Sequence, residues 1–107
     1  MEQKVIKVLA VDEDQNSVLS IKKALAGDKF EVVAAESQKE AEELLTANSI
    51  DLVIADSKVP GGGGIKIIEM AKEQRRETAG LLLLAKKAGK EMKVINAFAE
   101  GRIDFFI

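Results

Sequence analysis

Short apolar runs alternate along the chain with stretches whose apolar residues recur at helical spacing. Apolar runs bounded by turn residues indicate buried strands, and spacings of three and four residues indicate amphipathic helices. The predicted strands span residues 5–11, 30–34, 52–55, 80–85 and 103–107, and the predicted helices span residues 16–26, 37–47, 65–73 and 89–100. Four strand–helix pairs followed by a strand predict an α/β fold, a doubly wound five-stranded parallel sheet with helices on both faces.

The composition excludes several kinds of protein. A chain of 107 residues suits one small domain, and we expect a single domain over residues 1–107. Its 16 basic and 18 acidic residues give no electrostatic case for binding nucleic acid. Cysteine and histidine are both absent, which excludes disulfides, thiolate or imidazole metal sites and histidine catalysis within this chain. No apolar run approaches a membrane span and no signal peptide is visible, so we expect a cytoplasmic protein.

Acidic residues follow two of the predicted strands. Asp12 and Glu13 follow the first strand, and Asp56 ends the third. An acid at the end of a buried strand is costly unless a cation uses it, and these two strand ends are neighbours at the switch point of such a sheet. Oxygen ligands alone suit Mg²⁺. We therefore expect Asp12, Glu13, Asp56 and the backbone carbonyl of Lys58 to hold Mg²⁺, with Asp56 as a nucleophile that forms an acyl phosphate.

Other interpretations of these residues stay open at this point. Asp12 and Asp56 could be isolated acids at two strand ends without any ligand. Asp14 suits the N-terminus of the first helix, where a carboxylate is favourable by about 0.3–1 kcal/mol. The run Gly61–Gly64 lacks the Gly-Lys-Ser/Thr ending of a phosphate-binding loop, which favours a flexible loop before the third helix.

Four motifs resemble the receiver domain of bacterial two-component response regulators. Val-Asp-Glu-Asp at 11–14 is similar to the family's acidic pair, and Asp-Leu-Val-Ile-Ala-Asp at 51–56 is similar to the strand that ends in its phospho-acceptor. Pro60 and Gly64 match the family's loop, and residues 101–106 resemble its Gly-Ala-x-x-Tyr segment. The resemblance implies a flavodoxin-like strand order 2-1-3-4-5, Mg²⁺, and a phosphohistidine donor on a sensor histidine kinase or phosphotransfer protein. It makes Asp56 the phospho-acceptor and Phe105 the aromatic residue that rotates on activation.

The chain also departs from the family pattern. Ala85 stands where the family has a Thr or Ser that contacts the phosphoryl group, and Lys86 follows it. The family's Lys after the fifth strand would be residue 108, so we expect this Lys and the fifth helix to be lacking. Lys86 either supplies a phosphate contact in its place or is a solvated neighbour of Lys87. A sheet face left bare beside the first helix predicts a homodimer or another partner that covers it.

Three functions remain to be compared. The first is a receiver domain that accepts a phosphoryl group in a two-component phosphorelay, a signalling domain rather than an enzyme. The alternative is a receiver-like interaction module that works without phosphorylation, favoured by Ala85 and the lacking Lys. A third is a metal-dependent phosphatase of the haloacid-dehalogenase type with Asp12 as its nucleophile, but Gln15 and Asn16 stand where that pattern has Thr or Val.

Overall fold

Five parallel strands form one sheet, and helices pack against its faces. The computed structural model of the protein describes residues 5–84 and 99–107. The elements in these ranges are β1 (Ile6–Val11), α1 (Gln15–Ala24), β2 (Phe30–Ala35), α2 (Gln38–Ala47), β3 (Leu52–Asp56), α3 (Gly63–Gln74), β4 (Ala79–Leu83) and β5 (Phe105–Phe106). The sheet order β2-β1-β3-β4-β5 confirms the predicted fold class and topology. The predicted fourth helix, residues 89–100, lies outside the described residues except for its last two.

One face of the sheet carries the main core. Side chains alternate along a strand, so every second residue of β1, β3 and β4 points to the same side. Leu9, Val53 and Leu82 share this side and are all fully buried. They pack in one cluster with Ile67 and Ile68 of α3. The apolar stripe of α3 thus covers the centre of the sheet, as the helical spacing predicts.

The opposite face is covered by α1 and is partly open. Val8 and Ala10 of β1 are fully buried there. No residue of α1 is buried, and Leu19 on this helix is 50% exposed. Phe105 and Ile107 at the edge strand are 59% and 72% exposed. The described residues therefore leave apolar side chains of this face in contact with solvent.

Several boundaries differ from the predicted ones for reasons that the packing explains. Strand β5 has two residues instead of five, because Ile103 turns into the core and the Asp104 carboxylate accepts the Gly80 N–H. Strand β4 ends at Leu83 rather than at residue 85. Helix α3 begins at Gly63, inside the glycine run that was predicted to be a loop.

No helix in the described part of the chain is long and apolar enough to cross a lipid bilayer.

Candidate functional site

The register between β1 and β3 brings two aspartates to one edge of the sheet. Val8 pairs with Leu52 and Val11 pairs with Ala55, so the next residues along these strands, Asp12 and Asp56, end at the same level. This is the edge formed by the carboxyl ends of the strands, where parallel sheets of this type bind their ligands. The sequence prediction that these two acids are neighbours fits this register.

Asp12 is buried, with 6% of its surface exposed. Its backbone N–H donates to Ala35 at 3.1 Å, and its carboxylate Oδ1 accepts the Asp14 N–H at 2.9 Å. Burial raises the pKa of the Asp12 carboxyl, the Asp14 N–H opposes that rise, and the charge of Asp56 adds to it. A cation that reaches this carboxylate would therefore stabilise its charged form.

Asp56 is half-buried and is held by the backbone that follows it. Its Oδ2 accepts the Lys58 N–H at 3.0 Å, and its carbonyl accepts the Val59 N–H at 3.4 Å. The other carboxylate oxygen, Oδ1, accepts no hydrogen bond from the described residues. The Lys58 carbonyl likewise accepts none within the described part of the chain. Asp56 Oδ1 and the Lys58 carbonyl oxygen are thus both without a hydrogen-bond donor in the described part of the chain.

Close packing fixes the backbone of Asp56 against the start of α3. A Cβ atom on Gly64 would lie 2.5 Å from the Asp56 carbonyl oxygen and 2.7 Å from Leu82 Cδ1. Gly63 has a φ of +80°, and a Cβ there would lie 2.7 Å from the Ser57 carbonyl oxygen. These two glycines let the helix approach the end of β3 closely. The glycine run is therefore a packed junction in its second half, and its first half is the loop.

The other acids after β1 have separate settings. Asp14 is the N-cap of α1 and its Oδ1 accepts the Asn16 N–H at 2.9 Å, so the capping interpretation is confirmed. Glu13 is exposed, unlike Asp12 beside it.

The residues at this edge fit a hard divalent cation. Two aspartates and a backbone carbonyl offer only oxygen atoms, which Mg²⁺ prefers, and Mg²⁺ usually keeps several waters rather than a full protein shell. Within residues 5–84 and 99–107, no three acids come together as a metal-binding group. The protein's share of such a site is consequently small, with Asp12 and Asp56 at its centre, and the role of the exposed Glu13 stays a prediction.

Sequence reasoning missed two residues near these acids. The Ser17 hydroxyl, on the first turn of α1, lowers the Asp12 pKa by hydrogen bonding and so supports its charged form. Gln38, the first residue of α2, donates its backbone N–H to Pro60 in the loop after Asp56. A helix periodicity of three to four marks Ser17 as lying on the same side as Asp14. No local signal connects Gln38 with a loop more than 20 residues away.

The remaining predicted site residues are less closely placed. Ala85 and Lys86 lie outside the described residues. Phe105 pairs with Leu81 in the sheet and exposes 59% of its surface at the edge strand. Its role as a rotating aromatic residue stays a prediction.

The sequence is similar to a known family and to two regulatory proteins. A family model described as the response regulator receiver domain matches residues 8–107. The response regulator protein PilR of Pseudomonas aeruginosa is 27% identical over 99 residues, which is 92% of this chain and 22% of that protein. The transcriptional regulatory protein CpxR of Escherichia coli is 30% identical over 92% of this chain and 41% of that protein. The chain thus spans less than half the length of either relative.

A solved structure gives the same fold. The response regulator protein TrrA from Thermotoga maritima, crystallised in complex with Mg²⁺ and BeF, superposes with a TM-score of 0.77. The match covers 96% of this chain and 85% of that one, at 22% sequence identity. At this identity the likeness concerns the fold.

Proposed function

We propose that this chain, which belongs to the family of response regulator receiver domains, accepts a phosphoryl group on Asp56 with Mg²⁺ held beside it. The observation that carries the proposal is the pair Asp12 and Asp56 at the carboxyl edge of the sheet. Asp12 is buried, its pKa is raised, and no described Lys or Arg pairs with either acid. Like charges placed together without a fixed counter-charge are typical of a site that recruits a cation.

The arrangement around Asp56 suits nucleophilic attack on phosphorus. The Lys58 N–H occupies Oδ2, which leaves Oδ1 as the attacking oxygen. In the proposed step, Oδ1 forms a bond to the phosphorus of a phosphohistidine while the bond from phosphorus to the imidazole nitrogen breaks. The imidazole nitrogen leaves with that electron pair and takes a proton from water. The product is an acyl phosphate on Asp56.

Asp12, Asp56 and the Lys58 carbonyl are the groups that would hold Mg²⁺, and Glu13 would complete the site from its rim. When bound, the ion neutralises the oxygens of the phosphoryl group and aligns it for in-line transfer. The Mg²⁺ and BeF complex of TrrA supports this assignment through the shared family and fold. The chain itself contributes oxygens that the backbone holds in place and a buried carboxylate whose charge the ion would compensate.

The test uses Mg²⁺ with acetyl phosphate or beryllofluoride as the phosphoryl source or mimic. We expect the amide resonances of residues around Asp56 to shift in the wild-type protein, and we expect Asp56→Asn to abolish these shifts. Asp28→Asn is the matched control, because Asp28 is exposed in the loop before β2. An unchanged wild-type spectrum at saturating Mg²⁺ would refute the phospho-acceptor role.

The proposed donor is a phosphohistidine on a sensor histidine kinase or a phosphotransfer protein, since this chain contains no histidine. Family membership favours this function over both the phosphorylation-independent interaction module and the phosphatase. The chain spans 22% of PilR and 41% of CpxR, so the proposal concerns the receiver domain and not the other parts of those proteins. Proposed roles for Lys86 in contacting phosphate and for Phe105 as a switch residue rest on the family resemblance.

The exposed apolar side chains on the α1 side of the sheet support a partner there. Phe105 and Ile107 are both more than half exposed. A second copy or another chain that buries them would stabilise the complex by about 25 cal/mol for each Å² of apolar surface removed from water. Light scattering is the direct measurement. A clean monomeric mass at high protein concentration would refute the homodimer.

A further inference from the structure

We infer that Gln38 is a positioning residue for the loop that follows Asp56, and that through this loop it sets the affinity of the site for Mg²⁺. Gln38 belongs to α2, and nothing in the family pattern or in the site itself assigns it a role. The inference rests on the proposed function, because the atom to be positioned is the Lys58 carbonyl.

The loop is fixed at both ends by its own backbone. At its start, Lys58 and Val59 donate to Asp56, and Ser57 donates to Leu83 of β4 at 2.8 Å. At its end, the Gly63 N–H donates to the Val59 carbonyl at 3.0 Å. In the described chain, residues 60–62 in the middle of the loop form no backbone hydrogen bond with other residues of the loop. Its position therefore depends on what packs against it.

Gln38 supplies that packing in three ways. Its backbone N–H, one of the donors that a helix N-terminus leaves unsatisfied, donates to the Pro60 carbonyl at 3.3 Å. Its side chain lies directly on Gly61, where a Cβ would come within 2.8 Å of both Gln38 Cβ and Oε1. Its Nε2 reaches across to the Met70 sulfur at 3.9 Å, which ties the same side chain to α3.

The glycines are shaped to this side chain. Gly61 has a φ of +113°, which favours glycine on conformational grounds. Gly62 has a φ of −179°, which any residue can adopt, and a Cβ there would lie 2.9 Å from Gln38 Oε1 and 3.1 Å from Lys66 Cβ. Gln38 Oε1 is itself buried and accepts no hydrogen bond from the described residues. The amide is therefore held by the loop on its oxygen side and by the Met70 sulfur on its nitrogen side.

The consequence reaches the metal site through a short segment. Lys58 is two residues before Pro60, and its N–H is already bonded to Asp56, so a shift of the Pro60–Gly62 backbone changes where the Lys58 carbonyl points. Residues that orient metal ligands from behind affect metal affinity by about 10–100-fold. Gln38 has this relation to the Lys58 carbonyl, with the loop backbone between them.

The experiment compares Gln38→Ala with Gln74→Ala, which removes the same side chain from an exposed position at the end of α3. The first readout is amide hydrogen exchange of Lys58, Val59 and Gly63 in the absence of metal. We expect these amides to exchange about threefold faster or more in Gln38→Ala and to be unchanged in the control. The second readout is Mg²⁺ affinity from amide shifts, which we expect to fall about tenfold.

A second variant displaces the Gln38 amide without deleting it. Gly62→Ala places a methyl group against Oε1, so it should weaken Mg²⁺ binding in the wild-type background and have little further effect in Gln38→Ala. Additive effects of the two substitutions would overturn the inference, as would exchange or affinity in Gln38→Ala equal to the control. Failure of the proposed function appears differently, as a wild-type protein that does not bind Mg²⁺ at all.

Discussion

The two edges of the sheet hold aspartates in opposite electrical settings. At the edge where strands begin, Asp51 pairs with Arg75 at 2.9 Å and Asp104 pairs with Lys72 at 2.7 Å. At the edge where strands end, Asp12 and Asp56 are neighbours, and neither forms a salt bridge within the described part of the chain. Aspartates thus form ion pairs that stabilise the fold at one edge, and they concentrate uncompensated negative charge at the other.

The carboxyl pKa values follow the same contrast. Burial alone would raise the pKa of Asp104, but the hydrogen bonds from Lys72 and from the Gly80 N–H outweigh it, and the pKa is lowered. Burial raises the pKa of Asp12, and the charge of Asp56 adds to the rise. An acid at either terminus of a strand therefore indicates function when its surroundings leave its charge uncompensated, and indicates stability when they supply a partner.

The largest expected loss of stability is at the junction of Asp56 with α3, and it tests whether this junction is rigid. Gly64→Ala would place a methyl group 2.5 Å from the Asp56 carbonyl oxygen, and we expect a loss of about 3 kcal/mol in the free energy of unfolding measured with urea. Gly27→Ala is the matched control. Gly27 has a φ of +133° and open space around it, so its loss should be about 1 kcal/mol from backbone strain alone. Equal losses would show that the junction yields easily.

A smaller loss is expected at the opposite edge. Lys72→Met removes the cation from Asp104 and a hydrogen bond to the Thr78 carbonyl. Because the Asp104 side chain is 36% exposed, solvent screens part of the effect, and we expect about 1.5–2 kcal/mol of destabilisation. Lys66→Met on the exposed side of α3 is the control and should change stability by less than about 0.5 kcal/mol. If the two variants unfold at the same urea concentration, the pairing does not fasten this edge.

The acidic edge should respond in the opposite direction. Asp12→Asn removes a buried charge from beside Asp56, so the metal-free protein should gain about 1 kcal/mol of stability at neutral pH. The same variant should lose Mg²⁺ binding. Urea unfolding in EDTA measures the first effect and amide shifts measure the second. A destabilised Asp12→Asn protein would mean that the Asp12 charge is already compensated in the fold.

The pH dependence separates the two edges most finely. For Asp104 the folded-state pKa is lowered, so its stabilising contribution is present above the unfolded value near 3.8 and is lost as pH falls through the folded value. For Asp12 the folded-state pKa is raised, so stability declines as pH rises from about 3.8 through the folded value. The stability advantage of Asp12→Asn over the wild type should therefore grow as pH rises from about 3.8 through the folded-state pKa of Asp12. A difference that is constant with pH would contradict the assignment.

The sequence predicts the strands and their order well because each strand is a bounded apolar run. The boundaries that it misses depend on tertiary contacts, such as the Asp104 carboxylate that takes the Gly80 N–H and delays the start of β5. The start of α3 is missed because glycine is a poor helix former, whereas Gly63 and Gly64 are there for close packing.

The candidate site divides in the same way. Asp12 and Asp56 can be placed together from strand ends alone, since parallel register follows from the fold class. The exposure of Glu13 depends on how the chain turns into α1, and the contact of Gln38 with Pro60 joins the start of α2 to a loop that no periodicity connects with it. The local sequence pattern thus identifies the two acids, whereas the residues that position them are identified only from the tertiary contacts.

Helix α3 connects the two edges as one rod. Its first turn lies on the backbone of Asp56, and near its other end Lys72 and Arg75 hold Asp104 and Asp51. Twelve residues at a rise of about 1.5 Å span the sheet from one edge to the other. A displacement of its first turn, beside Asp56, would therefore move the helix as a unit and change the distances in the ion pairs near its other end.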